Sequence, residues 1–150
     1  PESDLPVAAS PIDHIFIVIL AARDRSASMD WYRDRLGLEE GATHVIPYSM
    51  INTAFELPAD TLTAISMAQN GRMPIVEIDD YPPVTRERPR TPGCLPPGNA
   101  LVTLGVCNLD ACDCTWLAPP TVHDGPLYAG RRSATTVGAA GELLELVELA

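Results

Sequence analysis

Apolar residues divide the chain into short strand-like segments, with one clear helix near the beginning. The run from Ile15 to Leu20 is entirely apolar and mostly β-branched, which is typical of a strand buried on both faces and is too short to cross a membrane. In the segment that follows, Asp24 or Ser26 can cap a helix that carries Trp31 and ends near Gly37. The pattern therefore predicts a strand and then a helix that packs on a sheet.

Three further strand-like stretches follow at residues 43–50, 62–69 and 73–79, separated by turn-prone segments. Residues 82–98 then contain six prolines and three arginines, and no regular element tolerates that density of proline. We predict one domain made of two modules, residues 11–81 and 99–150, joined by this proline-rich connection.

The second half repeats the order of the first. Strands are predicted near residues 99–106, 121–125 and 131–138, and residues 108–117 are expected to be the counterpart of the Trp31 helix. The terminal segment allows two interpretations, because Glu142, Glu145 and Glu148 recur every three residues as on a helix face. In a strand, Glu145 would instead lie between apolar neighbours and would need a partner, for which a cation is the natural choice.

The amino-acid composition excludes some partners and one type of catalysis. Among the 150 residues, 46% are hydrophobic and 20% are charged, the net charge is −10, and every basic residue is an arginine. An acidic surface without a basic patch excludes nucleic acid as a partner but suits a cationic ligand, and the lack of lysine excludes Schiff-base catalysis. No segment predicts a membrane span or a signal peptide, and the cysteine spacing favours free thiols, so we expect a cytoplasmic protein.

Three stretches carry a resemblance to a known family. They are IDHIFIVIL, SMDWYRDRLGLEE and the terminal GELLELVEL, which contain His14, the pair Trp31-Tyr32, Leu36-Gly37 and a Gly-x-x-x-Glu motif ending at Glu145. In this order they resemble the vicinal oxygen chelate superfamily of glyoxalases, bleomycin resistance proteins and extradiol dioxygenases. The resemblance implies an α+β fold in which two βαβββ modules form a cup-shaped sheet.

The resemblance also implies a metal site. Its ligand positions fall on His14, Glu77 and Glu145, and the fourth falls near Ala100, which cannot bind a metal. One histidine and two carboxylates suit a divalent ion such as iron, manganese, nickel or zinc, whereas the loss of the fourth ligand suits a protein without metal. Alternatively, His14 caps its strand, and Glu77 belongs to a strand that leaves the core, since Asp79 and Asp80 follow it.

Three functions follow from this resemblance. The first is a metal-dependent enzyme acting on a small molecule with vicinal oxygens, as a lyase or isomerase rather than an oxygenase, with Glu77 or Glu145 moving the proton. The second is a metal-free protein that sequesters a small molecule, and the third is a partner-binding domain that keeps only the fold. A homodimer is expected, because each module leaves a sheet edge unpaired.

Strand alternation adds candidate ligand contacts. It places His14 and Phe16 on one face of the first strand and isoleucines on the other, and the isoleucine face is expected to pack on the helix. His14 and Phe16 would then line the cup, together with His44, Tyr48 and Met50, which share one strand parity. The arginines of the proline-rich connection are expected to be solvated or to act as a flap for a substrate carboxylate.

Overall fold

The computed structural model of the protein describes residues 11, 15–87, 89–98 and 100–149. The first half contains β1 (Val18–Ala22), α1 (Arg25–Leu36), β2 (Glu39–Pro47), α2 (Ser49–Ala54), β3 (Leu62–Asn70) and β4 (Met73–Asp80). The second half contains β5 (Val102–Val106), a 3-10 helix (Leu109–Ala111), β6 (Trp116–Val122), β7 (Arg132–Val137) and β8 (Leu143–Glu148). Strands therefore dominate both halves, as the sequence predicts.

The strands form two four-stranded sheets with the same topology. Their orders are β1-β4-β3-β2 and β5-β8-β7-β6. In each sheet the first strand runs parallel to the last, and the remaining pairs are antiparallel. The chain divides into two compact units, with residues 34–36 and those from 87 onward forming the second. Each unit has the strand connectivity of a βαβββ module, although a 3-10 helix replaces the α-helix in the second.

Local signals set the bounds of α1. The Asp24 carboxylate accepts a hydrogen bond from the backbone N–H of Ala27 at 2.9 Å, which satisfies one of the free donors of the first turn. Gly37 ends the helix in the left-handed conformation at φ 69°, where glycine carries no steric penalty. Both ends match the sequence prediction. Tyr32 on α1 is 1% exposed and belongs to the core.

The side of β1 that meets α1 is the reverse of the prediction. Leu20 of β1 pairs with Ile78 of β4, and Ile78 pairs in turn with Ser66 of β3, so the three side chains lie on the same face of the sheet. The Arg25 side chain, in the first turn of α1, donates to the Ser66 hydroxyl at 2.6 Å, so α1 lies over this face. Ile19 lies on the opposite face. The prediction fails because both faces of β1 are apolar, so alternation alone could not tell which one a helix covers.

The second unit has its own core on one face of its sheet. Leu109 of the 3-10 helix, Ala134 and Leu146 are at most 2% exposed and form a cluster. Partly buried apolar residues pack around that cluster, namely Leu36, Leu104, Val106, Cys112, Cys114 and Trp116. The terminal segment is thus a strand, and the helical alternative is wrong.

Two local predictions fail. Ser49 and Met50, expected at the end of a strand, instead begin α2, which follows Tyr48 and buries Ile51 and Asn52. Residues 108–117 hold only the three-residue 3-10 helix, and Trp116 starts β6. In the proline-rich connection, the Arg90 guanidinium donates to the carbonyl oxygen of Gly141 between β7 and β8, while Arg88 lies outside the described residues.

Candidate functional site: two carboxylate clusters on the open sheet faces

Glu77 lies at the centre of the first sheet, on the face opposite α1. Its neighbours in the same row are Ile19 of β1 and Met67 of β3. Ile19 remains 43% exposed, which shows that this part of the face is open. Glu77 therefore occupies a partly covered position among apolar side chains, where a carboxylate interacts more strongly with its neighbours than it does in water.

Asp79 lies on the same face of β4, two residues after Glu77. It is only 1% exposed, so the expectation that the strand leaves the core here is wrong. Burial, the charge of Glu77 and a side-chain hydrogen bond with Glu77 raise the pKa of Asp79 to about 7, with a smaller effect of Asp80. The Asp79 Oδ1 atom is buried without a hydrogen-bond partner. Near neutral pH, the Asp79 carboxyl is thus protonated for part of the time.

Among the predicted ligand contacts, Tyr48 is the one that lies near Asp79 and Glu77. It precedes α2 as its capping residue. Burial raises the pKa of its phenol, and so do the charges of Asp79 and Glu77 and, to a smaller extent, Tyr81. Tyr81 in turn makes an edge-to-face contact with Phe55, with ring centroids 5.8 Å apart. Aromatic side chains thus border the acidic pair.

Glu145 occupies the same place in the second sheet, in a row with Thr103 of β5 and Thr135 of β7. Its two carboxylate oxygens are held by different donors. Thr103 donates its hydroxyl to Oε2 at 2.7 Å, and Tyr128 donates its phenol to Oε1 at 2.8 Å. The partner that Glu145 needs is therefore supplied by hydroxyl groups of the chain itself.

Tyr128 and Thr103 are functional candidates that the sequence analysis missed. Tyr128 lies in the connection between β6 and β7, and its ring contacts that of His123 at a centroid distance of 5.2 Å. The hydrogen bond to Glu145 raises the pKa of Tyr128, with burial and the charge of Glu145 adding to the shift. Strand register could have suggested Thr103, but no local signal in the sequence points to Tyr128.

The remaining predicted residues do not gather around one point within either unit. Phe16 precedes β1 and is 53% exposed, and Met50 on α2 is 61% exposed. His44 is exposed on β2 and pairs with Ile65. His14 lies outside the described residues, so its predicted orientation stays a prediction.

Few metal-binding side chains lie near either glutamate in the described part of the chain. On the faces of Glu77 and Glu145, the neighbouring residues of β1 and β5 are Ile19, Ala21, Thr103 and Gly105. None of these carries an imidazole or a carboxylate. Within the described ranges, no three His, Cys, Asp or Glu side chains are placed to hold an ion. The described residues do not fit such a metal, which needs at least three protein ligands.

Solved structures with the same fold were found by comparison. A glyoxalase family protein from Bacillus cereus matches with a TM-score of 0.66 at 15% identity over 95% of this chain and 98% of its own. A member of the glyoxalase/bleomycin resistance protein/dioxygenase superfamily from Sphaerobacter thermophilus matches with a TM-score of 0.51 at 17% identity, covering 92% and 98%. The chain has the glyoxalase/bleomycin resistance/dioxygenase fold. The predicted fold class is thereby confirmed.

Glyoxalase I from Zea mays also matches, with a TM-score of 0.59 at 19% identity over 89% of this chain. The chain spans only 45% of that protein. No family model matches the sequence, and no curated protein matches it. At these identities the likeness extends to the fold and leaves the activity to be argued from the site. No helix within the described part of the chain is long and apolar enough to span a membrane.

Proposed function

We propose that the protein binds a small organic molecule on the open sheet faces without the help of a metal ion, as bleomycin resistance proteins of this fold class do. The observation that carries the proposal is the hydroxyl pair around Glu145. With Thr103 and Tyr128 donating to its two oxygens, the carboxylate is satisfied without an ion. A ligand with N–H or O–H groups can replace or share these hydrogen bonds at little cost.

The charge of the chain favours a cationic ligand. The formal net charge is −10, and the open face of the first sheet presents Glu77 beside the buried Asp79. Around these groups lie apolar side chains, including Ile19 and Met67. An amine or guanidine attached to an apolar body would match such a surface, because the charge meets a carboxylate while the body covers exposed aliphatic groups.

A metal-dependent enzyme is the second candidate. The observation in its favour is that Glu77 and Glu145 occupy equivalent central positions in two sheets of identical topology, in a fold shared with maize glyoxalase I. Under this candidate, His14, Glu77 and Glu145 would be the ligands that the resemblance implies for an iron, manganese, nickel or zinc ion. The reaction would be a lyase or isomerase step on a substrate with vicinal oxygens, in preference to an oxygenase step.

Metal analysis of protein purified without chelators separates the two candidates. We expect less than one-tenth of an equivalent of divalent transition metal, and no saturable binding of Mn²⁺, Ni²⁺ or Zn²⁺ that depends on Glu145 in calorimetric titration. One equivalent that is lost in both Glu145→Gln and His14→Ala would instead establish the enzyme candidate. Glu39→Gln, on an exposed strand residue, is the matched control.

Ligand binding is then tested by thermal shift in the presence of a chelator. Organic cations with an apolar body should raise the melting temperature more than neutral or anionic analogues of the same size. Glu77→Gln and Glu145→Gln should reduce that shift. An equal response to anionic analogues would contradict the preference for cations.

We also propose that the protein acts as a homodimer in a reducing cytosol. In the first sheet, β2 forms an edge, and Val45 and Ile46 on it are 58% and 39% exposed. An apolar edge strand invites pairing with a second copy. Light scattering at micromolar concentration should give twice the chain mass for the wild type and a lower mass for Val45→Lys. A monomeric wild type would refute the dimer.

A further inference from the structure

Cys112 and Cys114 are drawn together by a tight turn after the 3-10 helix. The backbone N–H of Cys114 donates to the carbonyl oxygen of Cys112 at 2.9 Å. A hydrogen bond between residues i+2 and i closes a three-residue γ-turn, here centred on Asp113. The turn shortens the distance between the two Cα atoms compared with an extended chain. The two thiols are close enough for Cys112 to raise the pKa of Cys114.

Both side chains lie on the core face of the second sheet, opposite Glu145. They are half-buried and pack against the cluster of Leu109, Ala134 and Leu146. All four cysteines of the chain are free thiols, and Cys94 and Cys107 are exposed. The Cys112–Cys114 pair is therefore shielded on one side by apolar side chains and reachable from the other.

We propose that Cys112 and Cys114 together bind a thiophilic cation of the copper(I) class between their two sulfur atoms. On binding, each thiol releases its proton to solvent, so that one Cu⁺ and two thiols give a bis-thiolate complex of charge −1 and two H⁺, without a change in oxidation state. Soft thiolates select copper(I), which accepts two ligands, whereas structural zinc needs four. Among the residues that the structure describes, no third ligand joins the pair.

The surroundings of the pair suit this chemistry. Burial is the main reason why the pKa of both thiols is raised. The charge of Glu148 raises the pKa of Cys112 further, and the Cys112 thiol raises that of Cys114. The Arg35 guanidinium acts in the opposite direction on Cys114 and is bonded to Asp113 within the turn. Without an ion the thiols stay protonated and resist oxidation. With the ion, Arg35 lies close to the negative charge of the complex.

Competition between the reduced protein and a chromophoric copper(I) chelator, under anaerobic conditions, tests this site. We expect one Cu⁺ per chain in the wild type. Cys112→Ser and Cys114→Ser should each weaken binding by more than about a hundredfold, because a two-ligand site loses half of its donors. Cys94→Ser and Cys107→Ser are matched controls and should bind as the wild type does. Affinity should also increase with pH, since two protons are released.

Failure of the wild type to compete for Cu⁺, or undiminished binding by both Cys112→Ser and Cys114→Ser, would overturn the proposal. Loss of binding in Cys94→Ser or Cys107→Ser would equally overturn it. Because the pair contacts the core, circular dichroism and melting of each metal-free variant accompany the titration. Cys112→Ala and Cys114→Ala, which keep an apolar side chain, provide a second pair of variants that should fold and still fail to bind.

Discussion

The two units have the same strand topology but carry different polar side chains at equivalent positions. Glu77 and Glu145 sit in the same register between the first and third strands of their sheets. Two residues later, the first unit has the buried carboxyl of Asp79, whereas the second has the apolar Val147. The first unit therefore has a buried carboxyl beside a partly covered one, while the second holds one carboxylate between two hydroxyl groups.

A second equivalence lies at the ends of β4 and β8. The Asp80 carboxylate accepts from the backbone N–H of Arg25 at the start of α1, and the Glu148 carboxylate accepts from the backbone N–H of Leu109 at the start of the 3-10 helix. In both units, an acid at the end of the last strand thus caps the helical element that follows the first strand. The two units therefore share the contact between the last strand and the helical element, whereas the side chains on their open sheet faces differ.

The largest expected effects come from the equivalent core residues Ile78 and Leu146, both 0% exposed. Replacing either residue by alanine should lower the free energy of unfolding of its unit by about 2–5 kcal/mol, through lost burial and a residual cavity. Denaturant unfolding measures the change. Leu62→Ala, at a 61% exposed position, should cost less than about 0.5 kcal/mol. A small effect for only one of the core variants would show that the two cores are not equivalent.

The acidic pair of the first unit should make stability fall as pH rises. The pKa of Asp79 is raised from 3.8 to about 7, so the folded state binds the proton more tightly than the unfolded state. Stability contributed by the protonated group is complete below pH 4 and is lost between about pH 4 and 7, by about 4 kcal/mol at most. Asp79→Asn should remove this loss in unfolding experiments at pH 5 and 8. Asp60→Asn, on an exposed turn, is the control, and an unchanged pH profile in Asp79→Asn would contradict the raised pKa of Asp79.

The second unit should respond to pH in the opposite direction. Hydrogen bonds from Arg132 and from the backbone N–H of Leu109 lower the pKa of Glu148 from 4.5 to about 2. Its contribution to stability is present above pH 4.5 and is lost as pH falls through about 2. Glu148→Gln and Arg132→Gln should both flatten the acid limb of the unfolding profile. If Asp79→Asn flattened the acid limb and the Glu148 and Arg132 variants did not, the loss of stability in acid would originate in the first unit, and the prediction would be wrong.

The smallest effects concern the two tyrosines beside the glutamates. The main cause of the raised pKa is the hydrogen bond to Glu145 for Tyr128, but burial for Tyr48. Glu145→Gln should therefore lower the pKa of Tyr128, whereas Glu77→Gln should leave the pKa of Tyr48 above its usual value. Carbon-13 NMR of the tyrosine ring carbons against pH measures both. Equal responses of the two tyrosines would mean that the two environments are alike.

Signals within a few residues were sufficient to predict several elements. Asp24 and Gly37 mark the ends of α1 because a carboxylate can accept from the first turn and a glycine can adopt positive φ. The order of strands, the proline-rich connection and the resemblance ending at Glu145 predict the βαβββ modules that the structure contains. The local pattern also placed Glu77 on a strand, whereas for Glu145 it allowed a helix as well, because Glu142, Glu145 and Glu148 recur every three residues.

Only the tertiary structure decided which face of each strand is covered and what each carboxylate meets. Alternation along β1 separates its residues into two sets, but Arg25 must contact Ser66, 41 residues away, before one set becomes the helix side. Likewise, Thr103 reaches Glu145 from 42 residues away, and Asp79 lies between Ala21 of β1 and Ile65 of β3, which come from other segments of the chain. Such contacts form between segments distant in the sequence, and their energies depend on burial and on partners that no local pattern contains.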